Sequence, residues 1–185
     1  MKEYSLLAKE KAYQLLNTGA LILVSTMSTD QQYDIAPIAW QCPVDFDPVT
    51  KILFVTDKNH CTFRNIVETR QFIISIPHII QVKLIKDVGS CSGSDTNKFE
   101  KFKIAAFKGN KINCLIPEEV IGFIECKCYN IVEDVTVAIV FGEVISASVD
   151  KEAYSNCLLS EKPEGKTLHH LSGNKFIAPG DFIIS

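Results

Sequence analysis

The stretch from Tyr33 to Pro48, Tyr-Asp-Ile-Ala-Pro-Ile-Ala-Trp-Gln-Cys-Pro-Val-Asp-Phe-Asp-Pro, begins as a strand and cannot continue as a central one. Pro37 and Pro43 each lack an N–H, so each marks a sheet edge, a bulge or a strand end. Asp47-Pro48 then starts a turn. Between the prolines stands Trp40, the only tryptophan. An edge strand beside a large aromatic ring leaves backbone groups free to hydrogen-bond a flat, polar-edged ligand. The competing reading of Trp40 is a core residue in an irregular edge strand, because tryptophan is mostly buried.

A chain of 185 residues suits one domain with a real core, and 1–185 is expected to be a single unit. A net charge of −3 without a long basic run argues against nucleic acid as the main partner. No apolar run is long enough to span a bilayer, and the charged N-terminus does not suit a signal peptide. The expected location is therefore the cytoplasm. The seven cysteines are an odd number, which suggests reduced thiols. Cys126-Lys-Cys128 has the wrong spacing for a zinc knuckle; in a strand both thiols share one face, as small buried hydrophobes.

In order, residues 3 to 17 fit an amphipathic helix ended by Asn17-Thr18-Gly19. The apolar run Ala20 to Thr26 predicts a strand in a hairpin with the Tyr33 strand. Lys51 to Thr56 predicts a third strand, and Asp57-Lys58-Asn59-His60 opens a helix over Thr62–Thr69. Phe72 to Ile76 is a strand stopped by Pro77, and 78 to 88 is helical. Gly89 to Ser94 is a loop, after which Asp95 is expected to N-cap a helix carrying Lys98, Phe99 and Phe102. A mixed connection over 103–118 leads to two long strands, Val120 to Val132 and Val135 to Ser148, turning at Glu133-Asp134. The fold class expected is mainly β, a β-barrel with short helices.

These residues carry a resemblance. Asp34-Ile-Ala-Pro-Ile-Ala-Trp40 resembles the N-x-A-P-x-S/A-W segment of the flavin reductase-like, FMN-binding split-barrel family. Pro43-Val-Asp-Phe-Asp-Pro48, Asn65-Ile-Val-Glu-Thr69 and Ser92-Gly-Ser-Asp-Thr-Asn-Lys-Phe99 are similar to further family segments, in the family's order. So are Phe141-Gly-Glu-Val144, Leu168-His-His-Leu171 and Phe176-Ile-Ala-Pro-Gly180. The resemblance implies an FMN-binding split β-barrel core over 18–150, with 151–185 packing on the barrel or on a partner. It also implies a homodimer with FMN at the subunit interface.

By that resemblance the cofactor-binding candidates are Asp34, Ala36, Ile38, Trp40, Thr62, Asn65, Ser92, Lys98 and Phe176. Thr62 and Asn65 lie at a helix start, whose unpaired N–H groups suit a phosphate; the alternative is that they only cap the helix. Arg64 or Lys58 could add charge. Lys98 is a candidate for the phosphate or the flavin edge, against the ordinary reading of a solvated lysine. The loop at Ser92 allows close backbone approach, or is plain turn chemistry. Ala36, Ile38 and Trp40 would line the flavin, with Phe176 packing on it or in the core.

Two positions depart from the family pattern. Asp34 stands where relatives have Asn, and a carboxylate only accepts hydrogen bonds; it faces the flavin, or else solvent or a turn. Val137 stands where several relatives carry a histidine near the flavin, and valine moves no proton. Catalytic residues are left unassigned, and no metal is expected. Cys61, placed at the helix start, would have a lowered thiol pKa. The function implied is an oxidoreductase passing electrons from NAD(P)H through FMN to an acceptor. The alternative is a flavoredoxin-type electron carrier reduced by a protein partner.

Overall fold

The apolar run after Ala20 becomes β1 (Ile22–Met27), buried on both faces, which is why it reads as continuous rather than alternating. A computed structural model describes residues 19–180; the helix expected over 3–17 lies outside the described residues. β1 pairs antiparallel with β2 (Tyr33–Ile38), Ile22 opposite Ile38 and Thr26 opposite Asp34, as the hairpin reading required. β3 (Gln41–Asp45) and β4 (Lys51–Asp57) follow, then α1 (Cys61–Thr69), β5 (Gln71–Pro77) and α2 (Val82–Gly89), the last entered through a 3-10 turn at Ile79–Gln81. α3 (Lys98–Lys101) precedes a small hairpin of β6 (Ala106–Lys108) and β7 (Leu115–Pro117), then the long β8 (Val120–Glu133) and β9 (Val137–Val149). Short pairs β10 (Tyr154–Ser155) with β11 (Cys157–Leu158), and β12 (His169–Ser172) with β13 (Lys175–Ile177), complete the described chain.

Seven strands form one sheet in the order β2-β1-β5-β8-β9-β4-β3. Both proline-bearing strands are its edges, Pro37 in β2 and Pro43 in β3, where a missing N–H costs no ladder bond. Yet only Ala39 and Trp40 separate these opposite edges in sequence. Three Cα steps span at most about 11 Å. The sheet must therefore curl until its edges nearly meet, without pairing: a split barrel. Gln41 Nε2 donates across the seam to the Ala20 carbonyl (2.9 Å), and Val55 N–H to the Trp40 carbonyl (3.0 Å) carries the β3–β4 ladder up to it. Bulges at Glu125/Cys126 and Cys128/Asn130 help β8 and β9 coil.

The barrel interior holds Val24, Phe54, Ile66, Phe72 and Val140, with Phe54 and Phe72 edge to face at 5.3 Å. The odd residues of β1 face outward into a second core under α2 and α3, where Leu23 and Ile35 meet Ile85, Val88 and Phe99. Cys126 and Cys128 are both buried in the barrel interior. Burial pushes the Cys126 thiol up to about 12, with the Glu125 charge adding to it.

Three local expectations are corrected. The Tyr33–Pro48 segment is two strands, because the chain crosses the seam at Ala39-Trp40. Asn97, not Asp95, caps α3: its side chain accepts from Glu100 N–H at 3.3 Å. The connection over 103–118 contains the β6–β7 hairpin, whose Ile112, Cys114 and Ile116 cover Ile73 on the outer face of the sheet. Among the described residues, no helix is long and apolar enough to cross a membrane.

Candidate functional site

α1 starts in a turn built by Asp57, whose Oδ1 accepts from Asn59 N–H (2.8 Å) and whose carbonyl accepts from His60 N–H (3.1 Å). His60, extended, is the N-cap residue and makes no side-chain cap bond, so the helix start is left open toward a cavity. The helix ends at Arg70 in the left-handed region (φ 56°). Its buried face mixes Phe63 and Ile66, which enter the barrel core, with Thr62 and Asn65.

Those two polar residues reach the β1–β2 ladder at the directly opposed pair Thr26 and Asp34. Asn65 Nδ2 donates to Thr26 Oγ1 at 3.0 Å, and Thr62 Oγ1 donates to Asp34 Oδ2 at 3.1 Å. From the other side comes Lys98, the first residue of α3. Its ammonium donates to the Ile35 carbonyl at 2.7 Å and lies 3.0 Å from Asp34 Oδ1. Asp34 is 2% exposed and Lys98 4%. Asp34 thus faces neither solvent nor a turn, and Lys98 is not a solvated lysine. The ammonium thus bridges Oδ1, with which it forms a buried ion pair, and the Ile35 carbonyl. Lys98 also occupies a backbone group of the edge strand, where sequence reasoning expected the backbone to be free.

A cavity of about 140 Å³ opens over this pair, bounded by Asp34, Ala36, His60, Thr62, Ser92 and Gly93. A Cβ at Gly93 would collide with the Asp34 carboxylate, so only glycine lets the loop lie this close. At the rim, Arg64 on the exposed side of α1 donates to Ser94 Oγ. Two wider concavities adjoin it, each sharing Pro37 as a wall. One of about 340 Å³ is bounded by Ile38, Trp40, Val55, His60, Val137 and His170. The other, about 440 Å³, includes Ala39, Ile85, His170 and Phe176.

The candidates therefore fall along one groove. Asp34, Ala36, Thr62, Ser92 and Lys98 bound its polar end, and Ile38 and Trp40 one wide part. Half-buried Phe176 bounds the other, its ring 5.2 Å from that of His170. Asn65 lies outside the wall, buried behind Thr62 and tied to Thr26. Trp40 is 49% exposed, which removes the core reading. Val137 is in the same concavity as Trp40.

Two participants were not among the sequence candidates, His60 and His170, while Gly93 lies in the loop at Ser92 expected to allow close backbone approach. His170 reaches the groove because β12 pairs it with Phe176 and its Nε2 lies 2.9 Å from the Gly173 carbonyl. The register on the Phe176 strand was the signal that could have found it.

Cys61 reverses its expectation. It is the first residue of α1, and burial, followed by the Asp34 charge, pushes its thiol up, against the pull of Arg64. The open helix start is outweighed by desolvation.

A family model described as flavin reductase like domain matches residues 16–168. The uncharacterised protein YddH of Escherichia coli (strain K12) is 30% identical over 173 residues, covering 91% of each chain. Among solved structures, flavoredoxin of Desulfovibrio vulgaris (Miyazaki F) is 25% identical with a TM-score of 0.83, covering 100% of this chain and 97% of that one. An FMN-binding domain of a flavin reductases-like enzyme from Shewanella baltica OS155 is 25% identical with a TM-score of 0.79, covering 98% and 96%. The chain thus shares its fold with these proteins and belongs to the flavin reductase like domain family.

Proposed function

We propose that the chain binds FMN in this groove and passes electrons from NAD(P)H through it to an acceptor. The observation that carries the reading is a row of adjoining concavities with a polar end and an apolar remainder, matching a cofactor with a polar chain and a flat ring. The residues suit the group. The open start of α1, with Arg64 nearby, favours a phosphate, and Gly93 lets the loop lie close to the cavity floor. FMN, when bound, supplies the redox chemistry.

The protein's part is to bind, orient and shield. Thr62, Ser92 and the Gly93 backbone position the polar chain. Trp40, Ile38 and Pro37 give the ring an apolar wall. Val137 supplies no proton, whereas His60 and His170 bound the same concavity and are placed to hold one near the ring edge. Half-exposed Trp40 and Phe176 suit a homodimer in which a second copy closes the groove. The likeness to flavoredoxin supports a second reading, an electron carrier reduced by a protein.

The test is reconstitution with FMN, followed by anaerobic mixing with NADH or NADPH. Bleaching of the flavin band within seconds is the expected result. Bleaching by dithionite but by neither nucleotide would leave the carrier, and failure to retain FMN at micromolar concentration would defeat both.

A further inference from the structure

The buried pair at the polar end of the groove has a charge balance that bears on which ligand groups it accepts. The Lys98 ammonium would be the strongest anion-binding group there, but it is already engaged: 3.0 Å from Asp34 Oδ1 and bonded to the Ile35 carbonyl at 2.7 Å. The Thr62 hydroxyl, the next best donor, is given to Asp34 Oδ2 at 3.1 Å. Gly93 packs its backbone against the same carboxylate, so Asp34 has no room to swing toward the loop. Asp34 therefore engages both cationic and hydroxyl donors of the polar end, Lys98 at Oδ1 and Thr62 at Oδ2. An ammonium already neutralised by a buried carboxylate offers a dianion little net attraction in a low-dielectric site.

We propose that Asp34 sets the ligand discrimination of the groove. By holding Lys98 and Thr62 it withholds them from a phosphate, so the polar end adds little to the binding of a charged group over an uncharged polyol. The inference rests on the flavin reading above. Its consequence is that the chain binds FMN and riboflavin with similar affinity, the phosphate gaining only from the helix start and the exposed Arg64.

The experiment measures dissociation constants for FMN and riboflavin by flavin fluorescence, on full-length wild type, Asp34→Asn, and the double variant Asp34→Leu with Lys98→Met. Wild type is expected to prefer FMN by less than about tenfold. Asp34→Asn releases the ammonium for phosphate and should raise the FMN-to-riboflavin preference about tenfold or more, the scale of one hydrogen bond to a charged group. The double variant should keep the preference within about threefold of wild type, because the ammonium it removes was not available. A wild-type preference above about a hundredfold that the double variant loses would overturn the inference, whether or not Asp34→Asn folds. So would an unchanged preference in a folded Asp34→Asn protein. Binding of neither flavin by wild type overturns the cofactor reading and this inference together, whereas the other failures leave that reading standing.

Discussion

Replacing Lys98 by methionine tests whether the buried pair is part of the scaffold. The substitution keeps the length of the side chain and removes its charge. It leaves an Asp34 carboxylate that is 2% exposed, with one oxygen bonded only to Thr62 and the other bonded to nothing. Breaking a buried ion pair by deleting one partner costs about 3–5 kcal/mol. In a chain of this size that lowers Tm by roughly 6–20 °C. Adding Asp34→Leu removes the stranded charge. The double variant then loses the bond to the Ile35 carbonyl and the Thr62–Asp34 bond, about 1 kcal/mol each, and gains apolar packing. It should recover most of the loss. Urea denaturation followed by far-UV circular dichroism gives the free energies, and an unchanged slope confirms that the same structure unfolds. A single variant within about 1 kcal/mol of wild type, or a double variant no more stable than the single, would refute the argument.

The buried thiols predict alkaline sensitivity. Cys114 and Cys126 are pushed up to about 12 from a free-thiol value of 9.0, chiefly by burial. Protons thus stay bound in the folded state but leave the unfolded one above pH 9, so stability is full below that value and falls as pH rises toward 12. At about pH 10.5 each thiol should cost about 2 kcal/mol, and Cys126→Ala should flatten the decline seen in urea melts at pH 7.5 and 10.5. Trp40→Ala should change stability by less than about 1 kcal/mol, because half the ring is exposed, while weakening flavin binding about tenfold or more. Flavin fluorescence titration beside a thermal melt reads both.

The architecture was legible where chemistry forces geometry. Pro37 and Pro43 each marked a sheet edge, a bulge or a strand end, and both stand on edge strands. The apolar run from Ala20 marked a strand in a hairpin with the Tyr33 strand, and the turn before Cys61 marked a helix. The site was legible in part, since most of the residues chosen from motifs do line one groove. What escaped were relations between residues far apart in the chain. Nothing in the sequence shows that Asp34 and Lys98 share a buried pocket, because opposite charges occur throughout the chain and do not name their partners. Trp40 was misjudged in its bland reading because burial averages ignore a seam that holds a ring half in solvent. His170 depended on a two-stranded register interrupted between His170 and Ser172, which no periodicity announces.

The two-residue link across the barrel seam has a consequence for proteolysis. A cut between Ala39 and Trp40 would leave each ladder of the seven-stranded sheet paired, since β2 pairs only with β1 and β3 only with β4. The nicked molecule would keep its strands and its interior, yet the two margins would lose the short leash that holds them close. They would then rely on the Gln41–Ala20 hydrogen bond. The groove, whose walls come from both sides of that cut, would become a clamp with a slack hinge while the barrel around it still melted cooperatively.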